Sequence, residues 1–397
     1  MRRFVVPFGT YVLALVIAIT ARPASSAKPL DGMEIFRFDT FGDEQLWTNV
    51  LRMHEVIPNI SPETALAVGL KVDVEALPPE LIAALQAGQV DLTNPAVTIE
   101  LLRLNAVVGV MGKVDNSGQL ETVGITCALC HSTVDNSFAP GIGKRLDGWP
   151  NRDLDVGTIV GLSPVIPDDA FSSWGPGKYD PRDHAFDGTS LIQLNSPTLP
   201  VVIPPAYGLQ DVGFETATAD GSISYWNGYV AVSQMGGHGS FSDPRIGLTI
   251  EQKPDRVTPT LAALRDYQLS LLAPIPPAGS FDADAAGRGE LLFNGKAQCS
   301  SCHKLPAYTD VLSGPDPTIP LLHAPAETGM EPVYASRSAT KTGYRTAPLR
   351  GVWQHPPYFH DGSAADLRAV VDHYNKMLKL QLSTPQKRDL VEFLKSL

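Results

Sequence analysis

The 397-residue sequence has only four cysteines, fewer basic than acidic residues, and no long apolar run after residue 27. All four cysteines lie in two short motifs, which leaves none for a disulfide. The formal charge of −11 argues against nucleic acid and anionic membrane surfaces as partners. The lack of a later apolar run argues against stable membrane insertion. The acidic balance instead suits a redox partner protein with a basic patch.

The two motifs, Cys127-Ala-Leu-Cys130-His131 and Cys299-Ser-Ser-Cys302-His303, have the pattern of covalent haem c attachment. Each cysteine would form a thioether to a porphyrin vinyl group, and the following histidine would be the proximal iron ligand. A redox pair does not require the histidine, and a zinc ribbon pairs its motifs at about 15–20 residues. The sequence therefore predicts two covalently bound haem c groups, with His131 and His303 as iron ligands.

The N-terminus has the pattern of a secretory signal peptide. Arg2 and Arg3 precede a short apolar run, and small residues follow up to Ala27, which favours cleavage there. Loss of residues 1–27, which also contain Arg22, would make the formal charge −14. An uncleaved anchor is the alternative, but the run is short and is interrupted by Pro7. Since haem is attached to cysteines after export, we expect a bacterial periplasmic protein.

The length after residue 27 and the 34 prolines and 34 glycines suggest two loop-rich domains. We place an N-terminal haem c domain with insertions at 28–272 and a C-terminal cytochrome c-like domain at 273–397. The expected fold is mainly α, with two cytochrome c-like haem domains, long loops and a small β-hairpin at 108–125. Helices are expected at 43–57, 78–87, 95–108, 261–272 and 282–293 and after the capping box at Ser383.

Residues 282–397 resemble the C-terminal haem domain of bacterial di-haem cytochrome c peroxidases and their relatives. The segments that carry the resemblance are Gly287-Arg-Gly-Glu-Leu-Leu-Phe293, Cys299–His303, Tyr344-Arg-Thr-Ala-Pro-Leu-Arg-Gly351, Pro356-Pro-Tyr-Phe-His-Asp-Gly-Ser363 and Asp389-Leu-Val-Glu-Phe-Leu-Lys-Ser-Leu397. They cover about a third of the chain, and the N-terminal 280 residues resemble these proteins much less. The resemblance implies that the Pro348 carbonyl accepts from His303 and that Arg350 approaches a haem propionate.

A second resemblance concerns the loop after the first motif. Ala139-Pro-Gly-Ile-Gly143 is similar to the Gly/Pro loop of cytochromes c, in which a proline carbonyl accepts the proximal His Nδ1 proton. It implies that Pro140 holds His131, and a simple turn is the alternative.

The sixth ligand of each iron decides the chemistry, because a Met or His there closes the iron and an open face admits peroxide. For the second haem, spacing from the His-Asp-Gly segment of the resemblance indicates Tyr374. Met377, one helical turn on, and Met330, in a flexible loop, are equal candidates. Core packing is the alternative for Met377 and Tyr374.

For the first haem, the glycine-flanked Met235 and His238 are the best sixth-ligand candidates, ahead of His184 and His54. Trp226 is a candidate electron relay, although a core position is the more usual role of such a residue. Peroxide cleavage also requires an acid–base group; Glu215 lies in a suitable region, but the sequence does not single it out.

Three functions follow. The first is a periplasmic di-haem cytochrome that transfers electrons. The alternative is a di-haem cytochrome c peroxidase-like enzyme that reduces hydrogen peroxide, which the resemblance of residues 282–397 favours. Haem as the structural core of a binding protein is the third, and it is disfavoured because two haems in one chain usually serve transfer between them.

Overall fold

A computed structural model describes residues 29–167, 170–194 and 198–397, so the expected signal peptide lies outside the described residues. The helices are α1 Gly32–Phe38, α2 Met53–Val56, α3 Pro62–Ala67, α4 Pro79–Gln86, α5 Pro95–Arg103, α6 Ala128–His131, α7 Val156–Gly161, α8 Ile223–Tyr229, α9 Leu261–Ser270, α10 Ala283–Asn294, α11 Pro325–Thr328, α12 Pro332–Ser336, α13 Leu367–Met377 and α14 Thr384–Lys395. Two π-helical segments, Gln45–Val50 and Val230–Gln234, and several 3₁₀ turns join them. Of the helices described, none is long and apolar enough to cross a membrane.

The described strands are short, and all of them lie between Val72 and Ile250. They are β1 Val72–Asp73, β2 Val110–Val114, β3 Leu120–Ile125, β4 Ser132–Val134, β5 Ile142–Gly143, β6 Arg145–Asp147, β7 Lys178–Tyr179, β8 His184–Phe186, β9 Leu191–Gln193, β10 Val201–Val202, β11 Phe241–Asp243 and β12 Leu248–Ile250. Within the described ranges the strands form six two-stranded sheets, of which only the β1–β5 pair is parallel. The described residues are 36% helix and 12% strand, so the expected fold class is confirmed only in part: the fold is mixed rather than plainly mainly α. Strands of two or three residues are too short to produce a visible period-2 pattern.

The predicted hairpin before the first haem motif is confirmed. Strands β2 and β3 pair in antiparallel register from Val110 opposite Ile125. The turn between them is stabilised by the Asp115 carboxylate, which accepts from the backbone of Ser117 and Gln119 at 2.8 Å each. This hairpin delivers the chain directly to the first motif.

Gly109, at the start of the hairpin, permits a close approach to that motif. Its φ is +76°, and a Cβ there would lie 2.1 Å from the backbone nitrogen of Leu129. The Gly109 carbonyl accepts from the Thr126 amide at 3.0 Å. A residue with a side chain would therefore push the hairpin away from α6.

Two of the expected helices, α10 and α14, cross near the end of the chain. Ser383 and Gln386 form a capping box at the start of α14, and Asp282 caps α10 by accepting from the Ala285 amide. The two helices cross at Gly289, where a Cβ would lie only 2.0 Å from the carbonyl oxygen of Asp389. Phe293 and Phe393 pack on one side of this crossing with ring centroids 5.1 Å apart.

Residues Asp31–Leu397 form one compact unit, and the domain boundary at residue 272 remains a prediction. One buried ion pair and two hydrogen bonds link the segments on either side of that boundary. Asp180 pairs with Arg337 at 2.6 Å, and Asp220 accepts from the amides of Ala339 and Thr340 at 2.8 and 3.3 Å. The same Asp220 carboxylate forms a buried ion pair with Arg182.

Candidate haem sites

The first motif lies on the single turn α6, whose end is fixed by the chain that follows. The His131 carbonyl accepts from the Gly148 amide at 2.8 Å, and the Cys130 carbonyl accepts from the Asn151 amide at 2.9 Å. Cys127 and Cys130 are free thiols, and burial raises the pKa of each to about 12. Both are therefore protonated sulfurs held on one helical turn beside the proximal histidine.

His131 is oriented by a carbonyl from far along the chain. Its Nδ1 lies 3.1 Å from the backbone oxygen of Pro204, to which it donates in the Nδ1-protonated tautomer. Burial lowers the pKa of His131 to about 4, so the ring is neutral near pH 7. This arrangement leaves Nε2 as the free ligand nitrogen, as in proteins that fix a metal-binding imidazole through its other nitrogen.

The second motif repeats this arrangement on a 3₁₀ turn, Cys299–Ser301. His303 Nδ1 lies 2.9 Å from the carbonyl oxygen of Tyr308, and burial lowers the pKa of this histidine. Burial also raises the pKa of Cys299 to about 11. Each motif thus places two thiols and one neutral imidazole, with Nδ1 held by a backbone carbonyl, close together in the chain.

The carbonyl acceptors differ from those implied by the resemblance. Pro204 rather than Pro140 lies against His131, and Tyr308 rather than Pro348 lies against His303. Pro140 is exposed in the turn before β5, and its loop is closed by the Asn136 side chain, which accepts from the Gly141 amide at 2.7 Å.

Arg350 has partners of its own. Its Nε donates to the Pro306 carbonyl at 3.2 Å and its Nη1 to the Gln210 carbonyl at 3.0 Å. Nη2 lies 4.0 Å from the exposed Asp211 carboxylate. A contact with a propionate remains a prediction for this residue.

Both sixth-ligand candidates for the first haem follow the π-helical segment after α8. Met235 is 4% exposed and belongs to the same core cluster as Ala128 of the motif. His238 holds its Nδ1 2.9 Å from the Pro254 carbonyl, which again leaves Nε2 free. Both sixth-ligand assignments remain predictions.

The three sixth-ligand candidates for the second haem have different surroundings. The Tyr374 hydroxyl lies near Cys299 and Cys302, and burial, together with these thiols, raises its pKa to about 12. Met377 is 38% exposed, and Met330 packs against the cluster of Tyr334 and Tyr344. Of the three, Tyr374 is the one that interacts with the sulfurs of the second attachment motif.

The remaining candidates each have partners within the protein, and their functional roles stay predictions. The Trp226 ring lies over the Arg182 guanidinium and 5.2 Å from the Tyr229 ring, as expected of a core residue. Glu215 accepts from the Ile223 amide at 2.7 Å, and burial raises its pKa. His184 pairs with the buried Asp183 carboxylate at 2.9 Å. His54 lies 3.9 Å from Glu55 and has no further partner that would direct it to a haem.

Sequence reasoning missed a group beside the second motif. Potential ligand atoms of Cys302, Asp310 and His323 lie within 4.8 Å of one another. The Asp310 hydrogen bond, followed by a contact with Cys302, raises the pKa of His323 to about 11. A thioether at Cys302 would remove its sulfur from this group and leave a His–Asp pair. Only the folded chain reveals the group, because 21 residues separate Cys302 from His323.

The comparisons with known proteins identify relatives but no matching family model. Methylamine utilization protein MauG of Methylorubrum extorquens is 33% identical over 34% of this chain and 43% of that protein. Cytochrome-c peroxidase IdrP2 of Pseudomonas sp. (strain SCT) is 32% identical over 28% of this chain and 39% of that protein. The aligned segment thus spans about two-fifths of the length of these two relatives.

A longer alignment joins the chain to methylamine utilization protein MauG of Methylophilus methylotrophus, 25% identical over 77% of this chain and 84% of that protein. Among solved structures, a MauG-like protein associated with microbial copper homeostasis is 23% identical over 37% of this chain, with a TM-score of 0.28. A TM-score this low is not evidence of a shared fold.

Proposed function

We propose, on the premise that this chain belongs to a di-haem cytochrome c peroxidase-like superfamily, that it is a periplasmic c-type cytochrome that transfers electrons between two covalently bound haems. The proposal rests on one repeated observation. In both motifs a backbone carbonyl fixes Nδ1 of the histidine that follows the cysteines, at 3.1 Å for His131 and 2.9 Å for His303.

The donor set fits haem c. Each motif offers two free thiols for thioether bonds and one imidazole whose Nδ1 is held by a backbone carbonyl, so that Nε2 is the nitrogen that would bind iron. When bound, the haem supplies an iron that cycles between two oxidation states. The hydrogen bond to Nδ1 sets the orientation of each ring and increases the basicity of its ligand nitrogen, which stabilises the oxidised metal.

We propose Tyr374 as the sixth ligand of the second haem. Its hydroxyl lies near the two attachment sulfurs, and Phe359 and His373 pack around its ring at centroid distances of 6.0 and 5.2 Å. For the first haem, Met235 and His238 both remain ligand candidates. A six-coordinate iron at each site would make the chain an electron carrier.

Peroxide reduction is the second candidate, favoured by the relatives named cytochrome-c peroxidase. It requires an open iron and a group that moves a proton on the open face. His184 offers such a group, because Asp183 holds its Nδ1 at 2.9 Å and accepts in turn from Thr198 at 2.9 Å. In the tautomer in which Nδ1 donates to Asp183, Nε2 has the lone pair that would accept a proton.

Low-temperature electron paramagnetic resonance (EPR) of the oxidised and half-reduced protein separates the two functions. Two low-spin ferric signals, with no high-spin species on half-reduction, are expected of the electron carrier. A high-spin signal in either state, together with peroxide turnover, would overturn the electron carrier and establish the enzyme. Tyr374→Phe should then change the signal of one haem only, while Met377→Leu, at an exposed side chain on the same helix, should change neither.

A further inference from the structure

Arg152 stands apart from the other buried arginines of the described residues. Its Nε and Nη1 are buried without a hydrogen-bond partner, and no carboxylate lies within ion-pair distance. The third nitrogen, Nη2, donates to the His355 carbonyl at 2.9 Å. By contrast, Arg145, Arg182 and Arg337 each pair with an aspartate.

Arg345 shows that a buried arginine without a carboxylate partner can still have all its nitrogens hydrogen-bonded. It too lacks a carboxylate partner, but its three nitrogens donate to the carbonyls of Thr216, Glu215 and Thr346. Arg152 has one such bond instead of three. A buried guanidinium with unpaired N–H groups is costly unless an anion accepts from it.

The surroundings of Arg152 do not supply that anion. The neighbouring aromatic groups are Tyr207, Tyr358 and His355, and the His355 Nδ1 is itself unpaired. Burial, with the positive charge of Arg152, lowers the pKa of His355 to about 3, so it is neutral. Burial also lowers the pKa of Arg152 to about 10, and the group still carries its charge at pH 7.

The position of Arg152 in the chain points to the first haem. The preceding residue, Asn151, bonds through its amide to the Cys130 carbonyl at 2.9 Å and through its side chain to the Leu129 carbonyl at 3.4 Å. Arg152 therefore directly follows a residue that is hydrogen-bonded to the attachment turn. Its Nη2 donates to the His355 carbonyl in the second half of the chain. Two residues before His355, Trp353 packs against Trp149 with ring centroids 6.1 Å apart.

We propose that Arg152 is the cation that binds a propionate carboxylate of the first haem, with its unpaired Nε and Nη1 as donors. The inference rests on the proposed function, because the propionate belongs to the haem attached at Cys127 and Cys130. Arg152 would neutralise the charge of this buried carboxylate. Through its hydrogen bond to the His355 carbonyl, it would also connect the propionate to the second half of the chain. A nearby positive charge favours the reduced iron, so Arg152 raises the potential of that haem.

The test is an optical redox titration of the holoprotein at pH 8, where a propionate is ionised, after two haems per chain have been verified by absorbance of the pyridine adduct. Arg152→Gln should lower the midpoint potential of one haem and leave that of the other unchanged. Arg152→Lys, which keeps the charge, should shift it less. Arg103→Gln is the matched control, because Arg103 is an exposed residue of the same half paired with Glu100.

The shifted haem is identified with Cys299→Ser/Cys302→Ser, which carries the first haem alone. If that chain does not accumulate, His303→Ala marks the second haem by its spin state. A shift of the second haem would overturn the assignment to the first, and unchanged potentials in a fully loaded Arg152→Gln would overturn the role of Arg152. Wild-type protein without haem would refute the proposed function instead, since neither potential would exist.

Discussion

The Nδ1 atom of His131 lies 3.1 Å from the carbonyl oxygen of Pro204, although 73 residues separate the two. His303 achieves the same geometry with Tyr308, only five residues away. One proximal histidine is therefore oriented by a long-range contact and the other by its own loop. We expect the first to be the more sensitive to changes elsewhere in the chain.

Attachment and ligation can be separated by substitution. His303→Ala should keep both thioether bonds, so the mass of the protein should still include two haems, while one iron loses its low-spin signal. Cys302→Ser should instead weaken attachment and reduce the haem mass. Intact mass spectrometry with EPR measures the two effects, and added imidazole should restore a low-spin signal in His303→Ala. Unchanged EPR in that variant would rule out His303 as a ligand.

The α10–α14 crossing should not tolerate a methyl group at Gly289. An added Cβ would lie 2.0 Å from the Asp389 carbonyl oxygen and 2.8 Å from the Phe393 Cβ, which forces the helices apart. We expect Gly289→Ala to lower the free energy of unfolding by about 1–3 kcal/mol, as overpacking does. Urea unfolding measures the change.

Gly287 on the same helix is the matched control for this crossing. A Cβ there would meet no atom within 4 Å, so Gly287→Ala should stabilise the helix by about 0.5–1 kcal/mol. Equal effects of the two substitutions would contradict the close contact.

The buried Asp220 carboxylate should contribute strongly to stability. It pairs with Arg182 and accepts from Thr218 and from two backbone amides of the second half, and its side chain is fully buried. Asp220→Ala would leave the Arg182 charge buried without a partner, at a cost of about 3–5 kcal/mol. Thermal or urea unfolding of the holoprotein would detect this loss.

An exposed ion pair provides the comparison for Asp220. Lys113 and Glu121 pair across the hairpin with 72% and 44% of their side chains exposed. Glu121→Gln should change stability by less than about 1 kcal/mol. A small effect of Asp220→Ala, similar to that of Glu121→Gln, would show that Asp220 does not hold the two halves together.

Asp43 should give the protein a measurable pH dependence. Burial raises the pKa of Asp43 well above its ordinary 3.8, although its carboxylate accepts from the Ile125 amide. Above pH 3.8 the folded chain therefore holds a proton that the unfolded chain has lost, and this contribution to stability falls as pH rises towards the folded pKa. Asp43→Asn cannot ionise and should remove that fall.

The measurement for Asp43 is the difference in unfolding free energy between wild type and Asp43→Asn across the range from pH 4 to pH 8. The difference should shift in favour of the variant as pH rises. A constant difference would mean that Asp43 ionises in the folded chain as it does in the unfolded one.

Local patterns predicted the local structure well. The hairpin and the capping box at Ser383 are each encoded by a few neighbouring residues, and the structure confirms them. The helix expected at 43–57 was only partly right, because the chain there forms the π-helical segment Gln45–Val50 and then α2. Helical periodicity does not distinguish these forms.

The long-range contacts of the candidate sites were not accessible from the sequence. The carbonyl of Pro204 resembles any other backbone oxygen until folding brings it to His131, so composition cannot select it. Arg152 was missed for the same reason, because its unpaired nitrogens are defined by what surrounds them. Tyr374, in contrast, was one of three sixth-ligand candidates, indicated by spacing from the His-Asp-Gly segment of the resemblance. Its hydroxyl interacts electrostatically with the thiols of the second motif, and its role as a ligand remains a prediction.

The segment from Pro204 to Tyr207 has a consequence for how the chain can be divided. Its first residue orients His131, and its last donates a hydrogen bond to the Gly351 carbonyl at 2.9 Å. If the chain were cut near residue 272 and the halves were produced separately, this segment would lose its hydrogen bond to the Gly351 carbonyl. We expect the N-terminal fragment to attach haem poorly by itself and to attach it better when the C-terminal fragment is co-expressed. A chimera that exchanges only one half with a relative would therefore need a matching region around Gly351.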